Sequence, residues 1–253
     1  MNRFFLTKDI EIKFTPASTP ISETNFIFSS GGLLAAAGKF IRQTNTTLNN
    51  LIDESIGSET WFTENTDFFR FYDSGELHSI ILDISEENAP FDYAIQQSHE
   101  GYFSIKLCTA EKFFIVTPQV YRSFNSSRRE LYCFTDNIAP KTVFKITANL
   151  SLMFNDDNVF AGWIFYNPLE NITTSFQGEK DTIEVDDETY KIFADFFDIV
   201  SKNEDALHDD YETVIEKLLI EIGPERTSKI CGNIRRQALE TTQKDLKEYF
   251  LDT

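Results

Sequence analysis

The hydrophobic period of the chain changes near residue 187, and this change constrains the fold more than any other feature. Between residues 143 and 152 every even-numbered position is apolar and most odd-numbered positions are polar, which is typical of a strand with one buried face. From residue 187 onward apolar residues recur at helical spacing, as in Ile192, Phe193, Phe196, Phe197 and Val200. Strands followed by helices predict an α+β fold.

The predicted α+β fold has two parts. Residues 1–180 are expected to form a mainly antiparallel β-sheet body built from hairpins. Residues 187–252 are expected to form a C-terminal group of helices, which either stands apart or packs as one domain with the body.

Turn residues between apolar runs predict the hairpins. Residues 66–72 and 77–84 are joined by Asp-Ser-Gly-Glu, in which Gly75 supplies the positive φ that a tight turn requires. The other predicted strands are also rich in aromatic and β-branched residues: 102–108 paired with 112–117, 130–136, and 141–154 paired with 159–166 across Asn-Asp-Asp-Asn.

Residues typical of the first and last turns of helices predict where the helices lie. Residues 45–57 have helical apolar spacing and are expected to end at Gly57. Asp186 or Asp187 is suited to cap the helix that follows, because a short side-chain acceptor satisfies the free N–H groups of the first turn. Two further helices are predicted at 209–223 and at about 225–250, the second with a weak point at Gly232.

The stretch Asn-Phe-Ile-Phe-Ser-Ser-Gly-Gly-Leu-Leu-Ala-Ala-Ala-Gly-Lys-Phe at residues 25–40 resembles a phosphate cradle only superficially. A P-loop requires a glycine five positions before Gly38, where Leu33 stands, and a hydroxyl residue after Lys39, where Phe40 stands. The spacing therefore argues against a nucleotide site. A strand, a turn and the beginning of a helix are expected here instead.

The acidic charge is concentrated in two blocks. Of the net charge of −18, residues 44–105 carry −11 and residues 181–222 carry −11, while the rest of the chain is slightly basic. Because affinity for nucleic acid and for anionic membranes depends on Lys and Arg, neither is expected as a partner. Concentrated negative charge does favour encounter with a basic protein.

Part of this charge has a structural explanation. Five acids at or near predicted helix starts suit the helix dipole without any partner: Asp186, Asp187, Glu188, Asp209 and Asp210. The acids predicted to bind a basic partner are Asp195, Asp198, Glu204, Asp205, Glu212, Glu216, Glu86 and Glu87. The alternative for these residues is a solvated surface that keeps the protein soluble.

The sequence contains no recognisable catalytic or metal-binding motif. Its three histidines, His78, His99 and His208, are far apart, and zinc spacing, a nucleophile elbow and a calcium loop are all missing. No catalytic residue, cofactor or metal is therefore predicted. Three widely spaced cysteines and an N-terminus unlike a secretory signal favour a cytoplasmic location.

The favoured function is a non-enzymatic acidic binding protein, and its most specific form is an immunity or antitoxin-type inhibitor that occludes a basic effector. Two alternatives remain at this point. One is a hydrolase whose acid/base site has no sequence motif. The other is a structural or assembly protein whose acids form only a solvated exterior.

Overall fold

The computed structural model describes residues 3–29, 32–59, 66–109, 111–135, 139–202 and 211–251. Strands occupy the first two thirds of this part of the chain and most of the helices follow. The predicted α+β fold is therefore confirmed. In chain order the strands are β1 (Phe4–Thr7), β2 (Ile10–Ala17), β3 (Thr24–Ser29), β4 (Gly32–Gly38), β5 (Ile56–Ser58), β6 (Phe68–Phe71), β7 (Leu77–Asp83), β8 (Glu87–Asn88), β9 (Gln97–Ser98), β10 (Tyr102–Leu107), β11 (Phe113–Phe114), β12 (Tyr121–Asn125), β13 (Glu130–Phe134), β14 (Thr142–Lys145), β15 (Leu150–Phe154), β16 (Phe160–Tyr166) and β17 (Ile172–Thr173).

The described helices before residue 187 are short, and three of the four that follow are long. The described helices are η1 (Phe40–Arg42), α1 (Leu48–Asp53), η2 (Pro168–Asn171), α2 (Asp187–Lys202), α3 (Tyr211–Glu221), α4 (Pro224–Thr227) and α5 (Asn233–Leu251), where η marks a 3-10 helix. Asp186 caps α2 as predicted, since its Oδ1 accepts the Thr189 N–H at 2.8 Å. The predicted weak point is a break between α4 and α5, where Gly232 has φ +101°.

Two seven-stranded sheets form the body. The first has the order β11-β5-β6-β7-β4-β3-β17 and the second the order β8-β12-β13-β16-β15-β14-β9. The inner neighbours are antiparallel, whereas all four outermost strands are two residues long and pair parallel. Very short edge strands leave little free backbone for another chain to pair with.

A small sheet with the order β1-β2-β10 connects the two large sheets. On one side the Phe5 N–H donates to the Asn158 carbonyl at 2.9 Å, beside β16 of the second sheet. On the other side the Leu107 N–H donates to the Gly75 carbonyl at 2.8 Å, in the turn between β6 and β7 of the first sheet. The small sheet therefore bridges the two large sheets.

Aromatic side chains fill the space between the two large sheets. Phe69 of the first sheet meets Phe160 of the second with ring centroids 5.4 Å apart, and Phe26 meets Phe165 at 6.0 Å. The same cluster of buried residues includes apolar side chains of α2, α3 and α5. The division into residues 1–180 and 187–252 stays a prediction.

Three local expectations were wrong. Strands β10 and β11 do not pair with each other, because β10 pairs with β2 and β11 with β5. Residues 141–154 form a hairpin of β14 and β15, since Thr147 Oγ1 accepts the N–H groups of Asn149 and Leu150 in a turn. Both strands are almost wholly buried, so the polar positions do not mark a wet face.

Two glycine-based expectations also differ from the structure. Residues 32–38 continue as strand β4, antiparallel to β3, where a helix start was expected. Gly57 lies in β5 and does not end α1, which stops at Asp53. Its position has φ +138°, and a side chain there would collide with the Phe69 carbonyl of the neighbouring strand.

Candidate functional site: an acidic face

The structure places the predicted acids in three different settings. Glu86, just before β8, Glu87 of β8 and Asp198 of α2 are exposed, while Asp195 is half-buried elsewhere on α2. Glu212 and Glu216 are exposed on α3. Glu204 and Asp205 lie outside the described residues.

Asn88 joins the two acidic blocks of the sequence. Its backbone N–H donates to Ser201 Oγ at 2.6 Å, and its Nδ2 donates to the Phe197 carbonyl and to Asp198 Oδ1, both at 3.2 Å. Edge strand β8 is thereby fastened to α2, 110 residues later in the chain. We call the surface formed by Glu86, Glu87 and Asp198 the acidic face.

A buried arginine supports the acidic face from below. Arg122, only 1% exposed, donates to Asn88 Oδ1 at 2.7 Å, to the Ser85 carbonyl at 3.0 Å and to the Phe197 carbonyl at 3.2 Å. Its guanidinium also lies 4.5 Å from the centre of the Phe197 ring. Since β8, the chain before it and α2 all bond to one rigid group, their relative positions are fixed.

Two further carboxyls, Asp83 and Asp67, lie close to Glu86 in the chain or contact a residue that does. Asp83 ends β7 and is half-buried, and burial together with the charge of Glu86 raises its pKa to about 6. Asp67 is fully buried, and its Oδ1 accepts the Asp83 N–H at 2.9 Å. Burial raises the pKa of Asp67 well above the ordinary value of a carboxyl.

Asp195 is set apart from the acidic face by an ion pair. Its Oδ2 lies 2.6 Å from Nη2 of Arg226, at the C-terminal end of α4. By contrast, Glu86 and Glu87 form no ion pair with any residue in the part of the chain that the structure describes. Their charge is therefore available to a partner, while much of the charge of Asp195 is compensated internally.

A cavity of about 580 Å³ lies between β3, η1 and residues 178–182. Lys180 at its wall has a pKa lowered by burial, which is the kind of group that an acid/base site would use. However, its Nζ donates to the Thr24 carbonyl at 2.9 Å, to Asn171 Oδ1 at 3.0 Å and to Glu23 Oε2 at 3.3 Å. An ammonium has three donors, so Lys180 is fully engaged in holding this segment to β3.

Neither described histidine stands in a catalytic arrangement. His78 is buried beside Tyr72, with its Nδ1 2.9 Å from Ser79 Oγ, and burial lowers its pKa. The His99 ring stacks on Phe144 with centroids 4.4 Å apart. His208 lies outside the described residues. Both described histidine rings therefore have a structural role, in packing against neighbouring side chains.

Sequence reasoning named the carboxylates of the acidic face as candidate partner-binding residues, which stays a prediction, and it missed Arg122 and Asn88. Arg122 and Asn88 stand in a strand-like run and a turn-like run, and no local pattern distinguishes them. Their partners lie between 34 and 113 positions away along the chain. The sequence gives only a weak signal for the buried carboxyl of Asp67: it is a single acid at the start of a strongly apolar strand, where Asp is uncommon.

Comparisons with protein-family models, with curated proteins and with solved structures give no match. Within the described ranges, no helix is long and apolar enough to cross a bilayer. Among the same residues, no three His, Cys, Asp or Glu side chains are grouped so as to hold a metal ion. Function must therefore be argued from the chemistry of the acidic face.

Proposed function

We propose that this chain is a non-enzymatic binding protein whose acidic face engages a basic protein. The observation that carries the proposal is the contact between β8 and α2, in which Asn88 bonds to Ser201 and Asp198 and so joins an element of one acidic block to an element of the other. Exposed carboxylates on elements that are held together rigidly attract a cationic partner without having to reorganise.

The rigidity of this support favours binding over a merely solvated surface. A solvated acid needs no fixed position, whereas here one asparagine and one buried arginine hold the carriers of the charge in register. The hydrolase alternative has less support. In the cavity beside β3 the titratable group with a shifted pKa, Lys180, has all three donors occupied by structural acceptors.

In its most specific form the proposal is an immunity or antitoxin-type inhibitor that covers the working surface of a basic effector. An acidic surface suits this role because electrostatic attraction speeds association, and a fast inhibitor protects better than a slow one. We also propose a cytoplasmic location. Its support is the unpaired state of Cys108, Cys133 and Cys231, since disulfides form mainly in oxidising compartments.

The test is to isolate the basic partner and then measure its association rate. The chain is used as bait in a lysate of its own source cells at low salt, and a captured basic protein is purified for kinetics. Wild type is expected to associate rapidly at low salt and much more slowly at about 0.5 M salt, where the Debye length is about 4 Å. The triple variant Glu86→Gln, Glu87→Gln, Asp198→Asn is expected to associate about tenfold more slowly at low salt.

A matched control removes the same number of charges elsewhere. Asp9, Asp73 and Glu100 are exposed acids outside the acidic face, and their triple amide variant is expected to associate nearly as fast as wild type. An equal decrease of the association rate in both triple variants would show that only the total charge matters. Capture of no basic protein, or association indifferent to salt, would contradict the proposal.

A further inference from the structure

Strands β10 and β7 meet at one point and then diverge. The Leu107 N–H donates to the Gly75 carbonyl at 2.8 Å, and Glu76 and Lys106 form an isolated antiparallel bridge. Within the described ranges the two strands pair at no further position, since β7 runs on between β4 and β6 of the first sheet. A cavity of about 420 Å³ lies where they part, and we call it the β10 cleft.

The β10 cleft has an apolar wall and no net charge. Leu77 and Ile105 on this wall are buried, and Phe103 is half-buried against the same core cluster. One acid and one base, Glu76 and Lys106, are among the lining residues, and their charges cancel. The volume lies in the range of about 300–1,000 Å³ that is usual for ligand sites.

Alternate residues of β10 turn their backbone groups toward the cleft. Successive residues of an antiparallel strand form hydrogen bonds on opposite sides. Cys108 donates to Glu11 on the β2 side, whereas Leu107 donates on the β7 side. The same alternation directs the N–H groups of Phe103 and Ile105 away from β2 and toward the cleft. Neither N–H has a hydrogen-bond partner among the residues that the structure describes.

These free backbone groups match another extended peptide. Ile105 is only 1% exposed, and a buried backbone N–H is rarely left without an acceptor. Phe103 turns both its N–H and its carbonyl to the cleft side, which is the pattern that an added strand pairs with. The two residues lie two positions apart, which is the repeat of a β-strand.

We propose that the β10 cleft binds an uncharged, extended peptide segment that pairs antiparallel with β10, where β7 would lie if the two strands stayed paired. This site shares no residue with the acidic face and does not rest on the function proposed above. A ligand residue opposite Phe103 exchanges two hydrogen bonds with it, and a carbonyl nearer the N-terminus of the ligand accepts the Ile105 N–H.

The alternation of side chains defines the sequence that fits. The ligand side chain opposite Phe103 lies on the same side of the small sheet as Phe103 and Ile105, so an apolar residue is expected there. The next ligand side chains lie on the other side with Ser104, which is exposed, so polar residues are expected there. Since the lining charges cancel, a neutral ligand is favoured over the basic partner of the acidic face.

The experiment uses the intact chain and the uncharged peptide acetyl-Ser-Val-Ser-amide, whose valine is the residue opposite Phe103. Binding is followed by NMR of the backbone amides. The amide signals of Phe103 and Ile105 are expected to shift most and to exchange more slowly with solvent. The Ser104 amide faces β2 and is the internal reference, expected to change little. Affinity is expected to be the same at low salt and at about 0.5 M salt, because the contact is uncharged.

Two methylated peptides provide the matched control. Methylation of the valine nitrogen removes the donor to the Phe103 carbonyl and is expected to weaken binding at least about tenfold. Methylation of the first serine nitrogen, which points away from β10, is expected to change the affinity by less than about twofold.

Equal affinity of the two methylated peptides, or shifts centred away from β10, would overturn the strand addition. Failure of the parent peptide to bind at about 10 mM would overturn it as well, since even a weak specific contact is detected there. The proposed function is tested separately by the triple variant of the acidic face, so the failure of one proposal leaves the other standing.

Discussion

At the scale of single residues, three buried arginines donate hydrogen bonds to oxygens at irregular junctions of the chain. Arg70 bonds to the end of α1 and to β5, Arg122 holds β8 to α2, and Arg235 donates to the Leu169 carbonyl of η2 at 2.8 Å. Each guanidinium offers five donors in a fixed fork, so one side chain satisfies several carbonyls that no strand or helix could reach. Buried carbonyls left without donors would otherwise destabilise these junctions.

We expect Arg70→Met to lower the free energy of unfolding by about 3 kcal/mol, because it removes the guanidinium that donates to the carbonyls of Ile52, Ser55 and Ser58. Urea denaturation of both proteins measures the change. The matched control is Arg3→Met, at a side chain that is 75% exposed and is expected to matter by less than about 0.5 kcal/mol. Equal effects of the two substitutions would contradict a structural role for Arg70.

The buried carboxyl of Asp67 predicts an unusual pH dependence of stability. Its raised pKa means that the folded chain keeps a proton that the unfolded chain loses near pH 4. This stability is fully present below the unfolded-state pKa and decreases as the pH rises toward the folded-state pKa. The slope is up to about 1.4 kcal/mol per pH unit for one group.

We therefore expect Asp67→Asn, whose amide oxygen can still accept the Asp83 N–H, to lose stability less steeply than wild type between about pH 4.5 and 6.5. Urea titrations at three pH values in this interval measure the slope. Asp92→Asn, at an exposed carboxyl, should retain the wild-type slope. An unchanged slope in Asp67→Asn would mean that this carboxyl ionises in the folded protein.

At the scale of elements, residues 89–96 form a segment that crosses the outer face of the second sheet from β8 at one edge to β9 at the other. Six strand spacings of about 4.8 Å amount to about 29 Å, which nine residue steps reach only when almost fully extended. Alternate side chains of this crossing segment turn inward onto the sheet: Ala89, Phe91, Tyr93 and Ile95. These side chains therefore cover apolar residues on the outer face of the second sheet that would otherwise be exposed.

Phe91 is the central contact of the crossing segment. Its ring stacks on Tyr132 with centroids 4.2 Å apart and meets Phe134 edge-on at 5.2 Å. We expect Phe91→Ala to lower the free energy of unfolding by about 2 kcal/mol, less than for a fully buried phenylalanine because this ring is only half-buried. Chemical denaturation measures the loss of stability. Faster hydrogen exchange of the β13 amides would show that the loss arises at the contact with Phe91.

Asp92→Ala is the matched control for Phe91→Ala, since it shortens the next, exposed side chain of the same segment. A change of less than about 0.5 kcal/mol is expected there. If both substitutions were equally mild, the segment would cover the sheet without stabilising it.

At the scale of the whole molecule, the helices complete the core that the two sheets begin. Phe28 of β3 contacts Phe193, Phe196 and Phe197 of α2 at centroid distances between 5.3 and 6.2 Å. Helix α5 packs beside β3 and β17, and α2 packs beside β8 and β12. The acidic face exists only where body and helices meet, since its carboxylates come from both.

We expect a chain ending at residue 180 to lose cooperative unfolding, because the aromatic cluster around Phe28 would face water. Calorimetry and binding of a hydrophobic dye compare this chain with the intact one. Adding residues 181–253 as a separate peptide should restore part of the transition. A sharp unfolding transition of residues 1–180 alone would instead show that the body is an independent domain.

Features that depend on neighbouring residues were predictable from the sequence. The hairpin of β6 and β7 with Gly75 at φ +83°, the turn between β15 and β16, the Asp186 cap of α2 and the break at Gly232 all follow from periodicity and turn chemistry within a few positions. The α+β class follows from the order of those elements. The exposed acids of β8 and α2 were also predictable, since charged residues on amphipathic elements face water.

The tertiary structure alone decided which distant segments meet. The partners of β10 and β11, the course of residues 89–96 and the buried roles of Arg122 and Asp67 depend on contacts between residues far apart in the chain. Local propensity carries no information about such contacts, because their free energy arises only when the sheets and helices have packed. The sequence by itself thus determined the order of strands and helices and the acidic charge, and packing decided that β8 of one acidic block contacts α2 of the other.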